Sequence, residues 1–182
     1  MMKTVIENLK EKYSLTDELF RREDLAFVTV EKDSAVEFVT HLQRVEGYSH
    51  LVLLTAVDWL EDGKFQLTYL LNNPENMTDM GVRVLISREK AEMESMHHLW
   101  ATIATYQREL KEMFGINFPE SPRVDEPFIL EGWHDLPPYR RDFDTKKYSE
   151  DTYFPRPGRT THDPGEYMKE KLYPEDGGES DV

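Results

Sequence analysis

Glu109 and Glu112 stand three residues apart in the run Gln107 to Ile116, with Arg108 and Lys111 beside them. Further along, a double proline leads into Pro138-Tyr139-Arg140-Arg141-Asp142-Phe143. Carboxylates at this spacing share one side of a helix. Two kinds of chemistry are open to them. As acids or bases they would need a nucleophile or oxyanion donors close by, and none accompanies either block. As ion-pair acceptors they suit arginine, whose planar fork bonds carboxylates bidentately. Helix statistics alone read these charges as a solvated surface; the functional expectation beside it is a pin, in which Glu109 and Glu112 hold Arg140 and Arg141 and fasten the second block to the helix. A stand-alone acidic enzyme built from Glu109, Glu112, Asp142 and His134 would instead require a pocket that raises carboxylate pKa values.

The other candidates are weaker. His97 and His98 are adjacent and on a helix would point about 100° apart, so they cannot chelate one ion together. His41, His50, His134 and His162 are scattered. Asp58 follows an apolar strand and reads as a cap or turn residue. Ser49, Ser87 and Ser149 lack a nucleophile-elbow context, and no glycine-rich phosphate loop is present.

Composition narrows the classes further. The chain has 182 residues, a formal net charge of -14, 38% hydrophobic residues and no cysteine. That charge disfavours nucleic-acid and anionic-membrane binding. It leaves open a free binding module for a basic protein. Without cysteine the chain can form no disulfide and hold no thiolate-ligated zinc or iron–sulfur cluster. The expectation is a cytoplasmic protein that meets a membrane only through a partner, since no apolar run nears the roughly 20 residues of a membrane helix.

The elements that must position the two blocks follow from periodicity. Val5, Ile6, Leu9 and Tyr13 predict a short helix. Leu25 to Val30 predicts a strand, and Ser34 to Val45 a helix capped by Ser34 and stopped at Gly47. Leu51 to Val57 is apolar almost throughout, which predicts a central strand. Glu61-Asp62-Gly63-Lys64 turns into a strand from Phe65 to Leu70, and Gly81 to Ser87 alternates as another. Glu89 to Phe114 is expected to be helical with a break near Ser95, ending at Gly115. The predicted class is α+β: a mixed, largely antiparallel sheet packed with helices. Residues 1–118 form this domain. Residues 119–143 are a proline- and aromatic-rich segment containing Trp133 and the second block, and 144–182 are an extended C-terminal arm.

The two blocks resemble the 30 kDa subunit family of NADH–quinone oxidoreductase, complex I, and its counterparts in energy-converting membrane-bound hydrogenases. Ser95, Trp100, Arg108, Glu109, Met113, Phe114, Gly115, Ile116 and Phe118 fall in register with the first family motif. Pro122, Trp133, Pro138, Arg140, Asp142 and Phe143 continue it, with Tyr139 for Leu and Arg141 for Lys. Gln107 replaces the first Glu of an E-R-E triplet, Glu112 an Asp, Ser121 a His and Thr105 a Trp. These departures favour the hydrogenase-type or a related ferredoxin-linked complex over complex I itself. The resemblance implies a non-catalytic, cofactor-free peripheral-arm protein at the cytoplasmic face. Its partners would be a large catalytic subunit and a small cluster-bearing subunit, which hold the iron–sulfur clusters and, in a hydrogenase, a nickel–iron centre. Arg108, Glu109, Glu112, Phe114, Gly115, Trp133, Pro138, Arg140, Arg141, Asp142 and Phe143 become candidate interface and structural residues.

Overall fold

In a computed structural model that describes residues 2–152, helix α1 (Met2–Lys10) precedes strands β1 (Leu15–Arg22) and β2 (Leu25–Val30). Helix α2 (Ala35–Arg44) follows, then β3 (His50–Trp59), β4 (Lys64–Asn73) and β5 (Thr78–Ser87), helix α3 (Ile103–Phe114) and helix α4 (Thr145–Thr152). The sheet order is β1-β2-β5-β4-β3, with β2 and β5 parallel and every other pair antiparallel. The class is the expected α+β.

Alternation along the strands makes the sheet one-sided. Leu54, Ala56, Phe65, Leu67, Tyr69, Val82, Val84, Ala26 and Val28 share one face and are buried. Ile6 and Leu9 of α1, Phe38 and Leu42 of α2, and Ile103 and Leu110 of α3 join them in one continuous core. Fully burying a side chain of this size is worth about 1.5–3 kcal/mol, so these stripes dock each helix. On the other face, Val57 and Trp59 of β3 and Leu85 of β5 stay exposed.

Four expectations need correction. Leu51 to Val57 lies in β3 at the edge of the sheet, not at its centre. Leu51, Leu54 and Ala56 fill the covered face, while Val52, Thr55 and Val57 meet solvent. Strand β1 is not apparent from periodicity, because its burial is irregular and two register breaks interrupt its alternation. The stretch from Glu89 to Thr102 is not helical. Met93 and Met96, buried at a helix-like spacing, instead sit on a looped segment whose backbone pairs with Asn117: Met93 N–H to Asn117 O at 3.0 Å and Asn117 N–H to Ala91 O at 2.8 Å. Ser34 does not cap α2 through its side chain; its hydroxyl bonds Glu31 O at 3.1 Å.

The described chain divides into two units after Phe143. Within the second, Thr145–Thr152 is helical, so the C-terminal arm begins as a helix instead of an extended chain. Its expected continuation to residue 182, with His162, lies outside the described residues.

Candidate functional site

Helix α3 ends as the sequence requires, and its end is where the second block attaches. Gly115 adopts φ +75° and its N–H turns back to Lys111 O at 2.9 Å, a left-handed stop that glycine takes without penalty. Space demands glycine too. A Cβ here would lie 3.0 Å from Arg140 Nη2 and 3.2 Å from Pro137 Cγ.

The last carbonyls of any helix lack partners within it, and the Pro138–Phe143 block supplies two of them. Tyr139 N–H donates to Met113 O at 3.0 Å, and Arg140 Nε donates to Phe114 O at 2.7 Å. A cation at this end also meets the negative pole of the helix. The Arg140 guanidinium lies 5.4 Å from the centre of the Phe65 ring, and Phe114 packs edge-on between Phe65 and Tyr139.

Next to this cap lies a buried charge. Asp58, with its side chain 1% exposed, accepts Arg88 Nε at 2.9 Å and Arg88 Nη2 at 3.2 Å. The N–H of Arg141 reaches the same carboxylate at 2.9 Å. Arg88 Nη2 also bonds Asp142 at 2.5 Å, and Arg141 Nη1 bonds Glu61 at 2.5 Å. A carboxylate withdrawn from water needs this degree of compensation. Hydrogen bonding by Arg88 holds the Asp142 carboxyl below the ordinary aspartate range, and Arg141 does the same for Glu61. Bonding to Asp58 and then Asp142 raises the Arg88 pKa.

The block is therefore fastened to the helix, but not by the expected partners. Arg140 goes to a helix carbonyl and an aromatic ring, while Arg141 goes to Asp58 and Glu61. Glu112 turns the other way, accepting the N–H groups of Phe128 at 2.6 Å, Ile129 at 2.8 Å and Leu130 at 3.0 Å. Glu109 makes no hydrogen bond or ion pair among the described residues. The geometric reason is that the arginines emerge at the C-terminal end of α3, beyond the side that Glu109 and Glu112 occupy. Lys111 bonds Asp125, and Arg108 lies over the Phe128 ring at 5.2 Å. That side of α3 thus binds residues 125–130.

Asp58 is no mere cap or turn residue, and its partner Arg88 does not stand out in the sequence. They end β3 and follow β5, and only the order β5-β4-β3 brings them together across Phe65. A charged residue near the end of an apolar strand, with an arginine just beyond the second strand after it, is the available signal.

Trp133 packs against Phe143 with ring centres 5.7 Å apart, and its Nε1 donates to the carbonyls of Asp135 and Leu136. Gln107 is fully buried and its Oε1 accepts the Ser95 hydroxyl at 2.7 Å. Its Nε2 is buried with no hydrogen-bond partner among the described residues, so nothing in the structure explains glutamine in the first position of the E-R-E triplet. His97 and His98 lie on the looped segment, with Nδ1 of His97 3.2 Å from the Ser95 hydroxyl. Among the described residues no three His, Asp or Glu side chains gather at metal-binding distances. No described helix is long and apolar enough to cross a membrane.

A groove of about 390 Å³ beside α3 is lined by residues including Arg108, Glu112, Trp133 and His134. It does not assemble an acid–base pair: Asp142 is tied to Arg88, and both Glu112 oxygens hold backbone N–H groups. The Asp142 carboxyl, held low by Arg88, is shifted opposite to what the acidic-enzyme reading requires of it.

Comparison with known proteins places this geometry in context. The family described as "Respiratory-chain NADH dehydrogenase, 30 Kd subunit" matches residues 28–149, which contain every residue of the cap and of the ionic cluster. The C-type subunit of NADH-quinone oxidoreductase from Moorella thermoacetica is 30% identical over 99 residues, covering 54% of this chain and 67% of that protein. The C/D polypeptide of NADH-quinone oxidoreductase from Psychrobacter cryohalolentis is 26% identical over 160 residues, 82% of this chain but only 27% of the longer polypeptide. Among solved structures, a chain of the membrane-bound sulfane sulfur reductase, an archaeal respiratory membrane complex, superposes with a TM-score of 0.75. It is 27% identical and covers 90% of this chain and 96% of its own length.

Proposed function

Since the chain belongs to the 30 kDa subunit family of respiratory-chain NADH dehydrogenases, we propose that it docks on the large catalytic subunit of a membrane-bound, ion-translocating complex. The complex is of the hydrogenase-type or related ferredoxin-linked kind, and this chain sits at its cytoplasmic face. It is an accessory part of an oxidoreductase and performs no chemistry of its own. Iron–sulfur clusters, and a nickel–iron centre in a hydrogenase-type assembly, belong to the large and small partner subunits.

The observation that carries this reading is the fastening of Pro138–Phe143. The segment closes the C-terminus of α3 through Tyr139 and Arg140 and is tied to the sheet through Arg141 and Asp142. Residues 138–143, the last of the first unit, are thereby held on the domain that the sheet and α3 form. Two relatives support the assembly. One is a chain of a respiratory membrane complex, and another carries a region like this chain within a longer C/D polypeptide.

The test is purification of the chain from its native membranes in mild detergent. Co-elution with a large catalytic subunit is expected. Recovery as a lone monomer would defeat the proposal.

A further inference from the structure

Strand β3 holds the most continuous apolar run of the chain, Leu51 to Val57, yet it lies at an edge of the sheet. The two edges are guarded very differently. At the opposite edge, β1 carries Asp17, Glu18, Arg21 and Arg22 and is broken by two register shifts. Charges and bulges of that kind deter another strand from pairing.

Helix α3 packs against β3, and the strand's beginning is shielded further. A register shift falls between Leu51 and Leu53, Trp100 Nε1 bonds Ser49 O at 2.7 Å, and the Tyr106 hydroxyl bonds Val52 O at 3.2 Å. From Leu53 to Trp59 the single charged side chain is Asp58, which turns inward to Arg88. Alternate residues of an antiparallel edge strand direct their N–H and C=O away from the neighbouring strand. Among the described residues no strand pairs with β3 on that side. Val57 (41% exposed) and Trp59 (43%) form a narrow apolar shelf along this open stretch, and beyond its end stand the exposed carboxylates of Asp62 and of Glu61, the latter paired with Arg141.

We propose that the Leu53–Trp59 edge receives an extended strand from a partner subunit, continuing the sheet across the interface. The incoming segment is about seven residues long, rich in β-branched and aromatic residues, and uncharged along its length. It bears a lysine or arginine at the end that meets Asp62, since Glu61 is already paired with Arg141. The main-chain ladder would supply affinity, and the shelf would read alternate side chains. The charge disfavours a second copy as occupant, because each copy carries -14. This inference rests on the reading of the chain as part of a membrane complex.

The test is a cryo-electron microscopy structure of the complex purified from native membranes, joined to hydrogen exchange on the complex and on the free chain. A partner strand about 4.8 Å from β3 is expected. The outward amides between Leu53 and Trp59 should then exchange at least about tenfold more slowly in the complex, with the outer amides of β1 unchanged. A bare β3 edge in an otherwise assembled complex would overturn the inference and leave the proposed membership of the complex intact. Slow exchange already present in the free monomer would assign the edge to the chain's own remaining residues. Slow exchange that grows with concentration, alongside a dimer mass in light scattering, would assign it to a second copy. Either result refutes the partner strand. Failure of the chain to assemble with any other protein of its membranes would defeat the underlying reading itself.

Discussion

Replacing Asp58 with alanine tests the ionic cluster at its most buried point. The carboxylate loses two charged hydrogen bonds from Arg88 and one from the Arg141 N–H. Its side chain is 1% exposed, so water has little access to take its place, whereas Arg88 is 15% exposed and keeps Asp142 as an acceptor. Removing one partner of a buried pair costs about 3–5 kcal/mol. The remaining acceptor and partial exposure of Arg88 place this case near the lower end, about 3 kcal/mol. Asp58→Ala combined with Arg88→Met should cost little more than Asp58→Ala alone, because methionine can lie on the Phe65 ring that Arg88 now covers at 5.7 Å. The double-mutant cycle should therefore return a coupling of about 2 kcal/mol. Urea unfolding followed by tryptophan fluorescence measures all four species. A loss below about 1 kcal/mol for Asp58→Ala, or strict additivity in the cycle, would refute the idea that Asp58 and Arg88 hold this corner together.

Other consequences are as concrete. Gly115→Ala places a side chain at positive φ and against Arg140, and should destabilise by about 1–3 kcal/mol in thermal or urea unfolding; an unchanged midpoint would contradict the packing described. Glu112→Gln leaves only one acceptor oxygen for three backbone N–H groups. It should cost about 1–2 kcal/mol and speed hydrogen exchange at Phe128 to Leu130 before it affects the sheet. Because Asp142 and Glu61 titrate below their ordinary ranges in the folded chain, the unfolded state binds more protons as the pH falls. Their contribution is complete above about pH 5, declines through about pH 4 and is lost as pH falls through the depressed folded values. Asp142→Asn should lose less stability than the wild type between about pH 6 and about pH 3, and parallel curves for the two would count against the Arg88–Asp142 bond.

Much of the architecture is legible in the chain. The stripes of α1 and α2, the alternation of β2, β4 and β5, and the glycine stop after Phe114 all follow from local periodicity and backbone preference. Sequence and structure part where local pattern and tertiary placement diverge. Met93 and Met96 mimic a helical spacing but are buried by a segment that pairs with Asn117. Leu51 to Val57 has the composition of a central strand, while sheet order, which no local pattern encodes, places it at the edge. The candidate site shows the same division. Its residues Arg140, Arg141, Asp142, Phe114 and Gly115 do converge. Their acceptors, Asp58, Glu61 and the Phe114 carbonyl, come from elements whose adjacency depends on the fold. A backbone carbonyl at a helix end carries no mark in the sequence, so Glu109 and Glu112 stand out there as the nearest visible carboxylates.

If the fastened Pro138–Phe143 segment roots an interface with the large catalytic subunit, the residues just beyond it must lie close to that partner. Cross-linking mass spectrometry on the complex in native membranes tests this most directly, using Lys146 and Lys147, the exposed lysines that follow the root. Cross-links from these lysines to the large subunit are expected. Cross-links confined to this chain, or reaching only other proteins of the complex, would contradict the proposed docking.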